Sequence, residues 1–378
     1  MAPKNYRRVV AKFGTNLLTA GSDRLDLRTI ATLVGQVARL RRDGVEVVVV
    51  TSGAIAAGRH ILDRPVESSA IVRRQVYASV GQGMLMRSYS DLFAWHDVIV
   101  AQALLTRRDL SDRSAYLNAR STLASLLGLG IVPVVNENDV VAVDEIAEAV
   151  IGDNDSLSAL VANLIEADLL AILTDSGGLF ASDPRTDPAT RVIETVTRIE
   201  EAAALVQSRR VSRSGTGGMA TKIEAARLAT ASGTDVVIAG GHENEVLLRA
   251  SRGESVGTFF PSSVSRIEGR KRFLLSGLSA RGEIVVDDGA SGALLSQGKS
   301  LLPAGVREVK GPFQRGDTVI IANGAGRRIG YGITNYDEKD VRAILGRRST
   351  EIESVLGYDY GAEVVHRNNL VLLEGGGV

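Results

Sequence analysis

Cysteine is absent from the 378 residues, which excludes a disulfide framework and any thiolate metal site. Histidine is scarce: His60, His96, His242 and His366 have no metal-like spacing, and each reads as a surface or structural residue. Excess charge of either sign is also missing. With 44 Lys plus Arg against 44 Asp plus Glu, the whole chain has no electrostatic preference for nucleic acid or anionic lipid. No apolar run approaches the roughly 20 residues needed to cross a bilayer, the longest being strand-sized stretches such as Val45 to Val50. Met1 to Arg8 lack the apolar run of a signal peptide, so a cytoplasmic protein without a membrane partner is predicted. A Ser-His-Asp constellation and a Gly-x-Gly-x-x-Gly turn after the first strand are lacking too, which leaves hydrolase and dehydrogenase readings little support.

What is present is enough apolar residue, 44%, for large cores, in a chain whose length predicts about two or three domains. The first two-thirds alternate β-branched runs with helical patterns, as a mainly parallel sheet covered by helices on both faces does. Strands are predicted at Val9–Phe13, Val45–Thr51, Val98–Ala103, Val132–Asn136, Leu169–Thr174 and Val236–Ala239. Ile30, Leu33, Val34, Val37 and Leu40 share one helical face, and further helices are expected over Arg74–Phe93, Arg113–Leu127, Leu157–Ala167 and Met219–Ser232. Beyond Phe260 short strands broken by glycines, Glu283–Val286, Val306–Val309, Thr318–Ala322 and Arg328–Gly332, predict a compact β domain, with Glu363 to Leu373 closing a small barrel. The expected division is a three-layer α/β/α sandwich over residues 1–262, a linker over 263–279, a β-barrel-like domain over 280–366 and a tail over 367–378.

Polar residues gather at the predicted strand ends, where open α/β sheets bind ligands. Gly215-Thr216-Gly217-Gly218-Met219-Ala220-Thr221-Lys222 opens a helix with a lysine in its expected first turn, a design that suits phosphate because N–H groups at a helix start are unpaired. It is not a P-loop, since Thr221 and not Gly precedes Lys222. Lys12 ends the first strand before Gly14, where it could neutralise a transferring phosphoryl group with the Gly14 N–H as a neighbouring donor; a solvated surface lysine is the plain alternative. Thr51-Ser52-Gly53-Ala54 puts a hydroxyl and a small-residue helix start at the second strand's end, for anion binding or simple capping. Asn136-Glu137-Asn138-Asp139 and Gly152-Asp153-Asn154-Asp155 are dense in carboxylates and amides that suit an ammonium group or the orientation of lysines. Thr174-Asp175 ends a further strand and suits a nucleotide, although alone it is an ordinary turn.

Together, Lys12-Phe13-Gly14-Thr15, Val50 through Gly58, Val134 through Asp139, Gly152 through Asp155 and Gly215 through Lys222 resemble the glutamate 5-kinase branch of the amino acid kinase family. The region from about Arg281 to Val365 resembles the PUA domain that many of its members carry. The resemblance implies the amino acid kinase fold and ATP-dependent phosphorylation, with Mg2+, of the γ-carboxylate of L-glutamate, the first step of proline biosynthesis. It further implies a homo-oligomer, dimer or tetramer. By the same resemblance Lys12 and Lys222 are the catalytic cations and Asp155 orients them. Ser52, Gly53, Asp139 and Asn154 match glutamate-binding positions, Asp139 meeting the ammonium. Lys12, Gly14, Thr174, Asp175, Thr216, Gly217, Gly218, Met219, Ala220, Thr221 and Lys222 match ATP-binding positions. No protein ligand for magnesium is assigned. The chain departs from the family pattern at Phe13, where Leu is expected, at Asn16, where Ser is usual, and in a slightly longer Val140 to Ile151 segment carrying Asp144, Glu145 and Glu148.

Two alternatives remain at this level, beside a third in which the C-terminal domain serves assembly or regulation without RNA. One is a related kinase acting on another carboxylate or phosphate. The other is RNA binding or modification led by the C-terminal domain, weakly supported because basic and acidic residues nearly cancel from Val264 to Val378 and the dense patches Arg270-Lys271-Arg272, Arg327-Arg328 and Arg347-Arg348 read as solvated surface.

Overall fold

The computed structural model describes residues 6–142, 154–184, 186–187, 189–210, 217–262 and 280–373. Outside the described residues lie Gly215 and Thr216, Gly152 and Asp153, Asp144, Glu145 and Glu148, and the whole expected linker 263–279 with its Arg270-Lys271-Arg272 patch. The chain divides into two compact units, Met1–Leu110 with Ala119–Ser265, and Ser111–Asn118 with Arg266–Val378.

The first unit is built on a seven-stranded sheet of β1 (Arg8–Phe13), β2 (Glu46–Val50), β3 (Val100–Leu105), β4 (Val132–Glu137), β5 (Leu169–Thr174), β6 (Asp235–Gly240) and β7 (Thr258–Phe260). Their order is β3-β4-β2-β1-β5-β6-β7. Every pairing is parallel except β6 with β7. The mainly parallel sheet of the sequence reading is therefore present, and β7 is an antiparallel edge strand that reading did not anticipate. All six residues of β5 and of β6 are buried, as in strands covered by helices on both faces, so they read as continuous apolar runs and not as alternations. On the edge, β3 is only half-covered.

Strand order decides where polar residues meet. From β1 the chain moves to one side, through β2, β3 and β4, and then returns to the other side of β1 as β5. The C-terminal end of β1 thus lies at a reversal of strand order, the crevice where open α/β sheets hold ligands. Lys12 pairs in register with Val50 on one side and Ile172 on the other, and Val50 in turn with Val135. Thr51, Asn136, Gly14 and Leu173 consequently end up at nearly one level.

The helices Ala54–Leu62 and Ala70–Ala94 cross without side chains between them. A Cβ on Gly58 would lie 1.8 Å from the Tyr77 carbonyl oxygen, and one on Gly81 would lie 1.9 Å from that of Ala54. Glycine is required at both positions for this close approach. The longer helix begins at Ser69, whose hydroxyl accepts the Val72 N–H at 3.4 Å.

The second unit carries a five-stranded sheet of β8 (Gly282–Val286), β9 (Val306–Lys310), β10 (Thr318–Asn323), β11 (Arg328–Ile333) and β12 (Leu370–Leu372), in the order β12-β11-β10-β8-β9. Buried Ile284, Val319, Ile321, Val341 and Ile352 pack around Tyr336 in its core. Glu363 to Leu373 joins this unit through β12 and an antiparallel bridge from Val365 to Leu301. Because β12 pairs with β11, residues 370–372 belong to the sheet and correct the expectation that everything from 367 onward is tail. The short helices Asp288–Gln297, Glu338–Ile344 and Ile352–Leu356 were not anticipated either.

Replacing Gly81 by Ala is expected to destabilise the protein by about 2–4 kcal/mol through forced overpacking. The neighbouring Gly83→Ala, with open space around the added methyl, should be neutral or stabilising by about 0.5–1 kcal/mol. Thermal denaturation of the two variants checks the contrast, and equal melting temperatures would refute the close crossing.

Candidate active site

Strand alternation sends Val9, Ala11 and Phe13 into one core layer and turns Lys12 to the opposite face. There it meets the Asn154–Leu164 helix, whose second residue is Asp155. Lys12 Nζ donates to Asp155 Oδ1. The other carboxylate oxygen accepts from Lys222 Nζ at 3.1 Å and from the Thr221 hydroxyl at 2.7 Å. The three charged side chains are only 6%, 4% and 12% exposed for Lys12, Asp155 and Lys222. Desolvation is costly for each ion, so the arrangement depends on this mutual pairing.

Lys222 belongs to the helix Gly217–Ala231, which starts two residues before the expected Met219. That places Lys222 in the second turn, not the first. Its side chain runs back toward the helix start, as long helical side chains do, and also donates to the Gly218 carbonyl at 3.1 Å. Both ammonium groups lie beside bare glycine backbone: an added Cβ would come within 3.8 Å of Lys12 Nζ at Gly14 and within 3.9 Å of Lys222 Nζ at Gly218. One net positive charge at glycine-lined backbone is a setting that suits an oxyanion. The Gly14 N–H, expected to face such a group, instead donates to the Leu173 carbonyl at 3.2 Å, because β1 and β5 continue their ladder one residue past Phe13.

Burial acts to raise the Asp155 pKa, but the charges of Lys12 and Lys222 and the hydrogen bonds from Lys12 and Thr221 outweigh it and lower the group from 3.8 to about 2. It is therefore a fixed anion at neutral pH. Burial likewise acts to raise Asp175, and hydrogen bonds from Thr174 and Asn16 reverse it, so its pKa is lowered. The Thr174 hydroxyl donates to Asp175 Oδ1 at 2.8 Å and Asn16 Nδ2 to Oδ2 at 3.2 Å.

A second polar group lies across β2 and β4. Asn154 Nδ2 donates to Ser52 Oγ at 3.1 Å and to Asn136 Oδ1 at 3.2 Å, and Asn136 Nδ2 donates to Gln82 Oε1 at 2.8 Å. Asn154 Oδ1 is buried and has no partner. Gly53 caps the Ala54–Leu62 helix at φ +103°, with no side-chain capping bond. Asp139 is half-buried in the turn after β4. Gly218 is exposed and Met219 and Ala220 are half-buried in the first turn of their helix, which begins at Gly217, while Thr216 lies outside the described residues.

Three participants carried no assignment in the sequence: Asn16, Gln82 and Asn136. Asn136 lies in the Asn136-Glu137-Asn138-Asp139 stretch, whereas Gln82, one of two glutamines in the Ala70–Ala94 helix, gives no local signal. Among the described residues no three His, Asp or Glu side chains are grouped to hold a metal ion, and no helix is long and apolar enough to cross a membrane.

Because the Asp155 pKa falls on folding, its contribution to stability is present above about pH 4 and is lost as pH drops toward 2. By linkage that contribution is about 2 kcal/mol. Asp155→Asn should lack it and show a shallower loss of stability over this acid range in urea unfolding, and an unchanged acid limb would contradict the depressed carboxylate.

The amino acid kinase family matches residues 7–240, and the PUA domain matches residues 282–356. A glutamate 5-kinase of Dehalococcoides mccartyi is 51% identical over 97% of this chain and 99% of its own length. Glutamate 5-kinases of Herpetosiphon aurantiacus, 49% identical over 97% of this chain and 98% of theirs, and of Shewanella amazonensis, 48% identical over 98% and 97%, are similar throughout as well. The chain belongs to the amino acid kinase family, in the group of glutamate 5-kinases that end in a PUA domain.

Proposed function

We propose that the protein transfers the γ-phosphoryl group of ATP to the γ-carboxylate of L-glutamate, giving L-glutamyl 5-phosphate and ADP, as the first step of proline biosynthesis in the cytoplasm. The observation that carries this reading is the buried Asp155 carboxylate bracketed by Lys12 and Lys222 at the C-terminal edge of β1. Likeness to glutamate 5-kinases over almost the whole chain supports the substrates. An RNA-led role is not favoured, since the kinase region accounts for most of the chain.

In this reaction a glutamate γ-carboxylate oxygen attacks the terminal phosphorus, the new O–P bond forms, and the bond to the bridging oxygen of ADP breaks. A carboxylate is already a nucleophile, so no general base is required. That fits a site whose central acid, with a pKa of about 2, is a permanent anion. What the chemistry demands is bringing two anions together and stabilising charge on the migrating group. Lys12 and Lys222 supply that charge, and Asp155, which also accepts from the Thr221 hydroxyl, holds them in place. Thr174, Asp175 and the start of the Gly217–Ala231 helix flank the nucleotide. Ser52, Gly53, Asp139 and Asn154 receive glutamate.

Magnesium would arrive on the nucleotide, since the oxygens of Asp155 and Asp175 already accept from lysine, threonine and asparagine donors. When bound it shields phosphate charge. Assembly as a homo-oligomer belongs to the same proposal.

ATP-dependent hydroxamate formation in the presence of hydroxylamine, comparing L-glutamate with aspartate and N-acetylglutamate, tests the reaction. Hydroxamate from glutamate alone is expected, and none from any acid would overturn it. Lys222→Ala should lower the turnover rate by about 10²–10³-fold with an unchanged circular dichroism spectrum. Full activity in that variant would remove Lys222 from the transfer step.

A further inference from the structure

The proposed glutamate site contains a feature that its contact residues alone do not explain. A primary amide has two N–H donors and one carbonyl oxygen, and which end faces a ligand depends on what holds the other. Asn154 has both protons engaged, one by Ser52 Oγ and one by Asn136 Oδ1. Its oxygen is buried without a partner. Such an acceptor is costly to bury until a donor reaches it. Ser52 Oγ is an acceptor in this set, which leaves the hydroxyl proton to be donated elsewhere.

The direction of this chain is set one residue further back. Asn136 can offer its oxygen to Asn154 only while its own NH2 has an acceptor, and that acceptor is Gln82 Oε1 at 2.8 Å. Reversing the Asn136 amide would present its protons to Asn154, whose oxygen would turn to them and whose NH2 would face the ligand. Two donors would then meet an ammonium group. Gln82 is carried by the Ala70–Ala94 helix. Gly81 beside it is the point of backbone contact with the Ala54–Leu62 helix. Seven residues on, two turns along the same face, the Tyr89 hydroxyl lies 2.7 Å from Thr51 Oγ1, which donates to the Ser52 carbonyl at 3.1 Å.

We infer that Gln82 is a positioning residue that fixes the polarity of the Asn136–Asn154–Ser52 chain, so that Asn154 Oδ1 accepts from the α-ammonium of the amino acid substrate and Ser52 donates to one of its oxygens. Gln82 acts through Asn136 and is separated from the substrate by it. The inference rests on the proposed function and adds to it a residue that, beside Asp139, favours an amine-bearing acid.

The test measures KM for L-glutamate and for ATP, and the preference for L-glutamate over glutarate, which lacks the amine, in the wild type, Gln82→Met and Gln82→Glu. Gln82→Met removes the acceptor at similar length. It should raise the KM for glutamate about tenfold, leave that for ATP within about twofold, and reduce the glutamate-over-glutarate preference by a similar tenfold factor. Gln82→Glu can only accept from Asn136, so it should recover most of the glutamate KM, an outcome that loss of packing alone would not produce. If Gln82→Met does not fold, Gln82→Ala takes its place. Equal losses for glutamate, glutarate and ATP, an unchanged glutamate KM, or a Gln82→Glu variant as impaired as Gln82→Met would overturn the inference. Calorimetric titration of the same proteins with L-glutamate and glutarate reads the preference without turnover. A wild type that binds glutamate but makes no hydroxamate would thus refute the kinase reaction while still deciding the role of Gln82.

Discussion

Three buried charges from three separate segments set the terms for the rest of the catalytic unit. Lys12, Asp155 and Lys222 are far apart in sequence and almost fully withdrawn from water. Removing ions from water costs several kcal/mol each, and only close pairing with further hydrogen bonds offsets it. Thr221 and the Gly218 carbonyl supply those bonds. Two ammonium groups so near each other would repel without Asp155 between them. With it, these three side chains together carry one positive charge in a poorly solvated place, where a fixed charge acts far more strongly than in water. The same interaction holds the carboxylate near pKa 2, so it is ionised at neutral pH.

The sheet exists around that cluster in a particular order because β1 must have partners on both sides. β2 and β4 bring Ser52 and Asn136 to one flank, and β5 brings Thr174 and Asp175 to the other. Parallel strands present their C-terminal ends on one edge, so each crossover adds a polar turn to the same crevice. The Ala70–Ala94 helix reinforces that edge from behind. Its glycine contact with the Ala54–Leu62 helix fixes the distance, and Gln82 and Tyr89 carry polar contacts toward Asn136 and Thr51.

Much of this was legible in sequence, for identifiable reasons. Buried parallel strands such as β1, β2 and β5 are apolar along their length, and their runs were read within a residue or two. The three-residue β7 is too short to have a pattern. Helix starts were harder. Asn154-Asp155 and Gly217-Gly218 look like loop, being polar or conformationally free, yet each is the first turn of a helix. There tertiary contacts with Lys12 and the sheet override weak local propensity. The charged residues stood out because lysine and aspartate at strand ends are conspicuous. The amides behind them did not, since an asparagine or glutamine acquires its meaning only from the partner across the fold, and Gln82 is 54 residues from Asn136.

The helix start at Asn154 ties the two halves of the crevice together. Consecutive helical residues project about 100° apart, so Asn154 and Asp155 cannot serve the same cluster. Asp155 turns to the lysines of β1 and the Gly217–Ala231 helix, and Asn154 turns across to β2 and β4. One first turn thereby faces the two lysines on one side and the hydroxyl and amides of Ser52 and Asn136 on the other. The two sides match the charges of the proposed reactants. The triphosphate and the γ-carboxylate are net anions and need compensation where they meet. The other end of glutamate is a zwitterion, for which donors and acceptors of fixed direction discriminate by geometry, in addition to the proposed Asp139 carboxylate. Because both halves are set by adjacent residues, a change that shifts this turn must disturb amino acid recognition and phosphoryl transfer together.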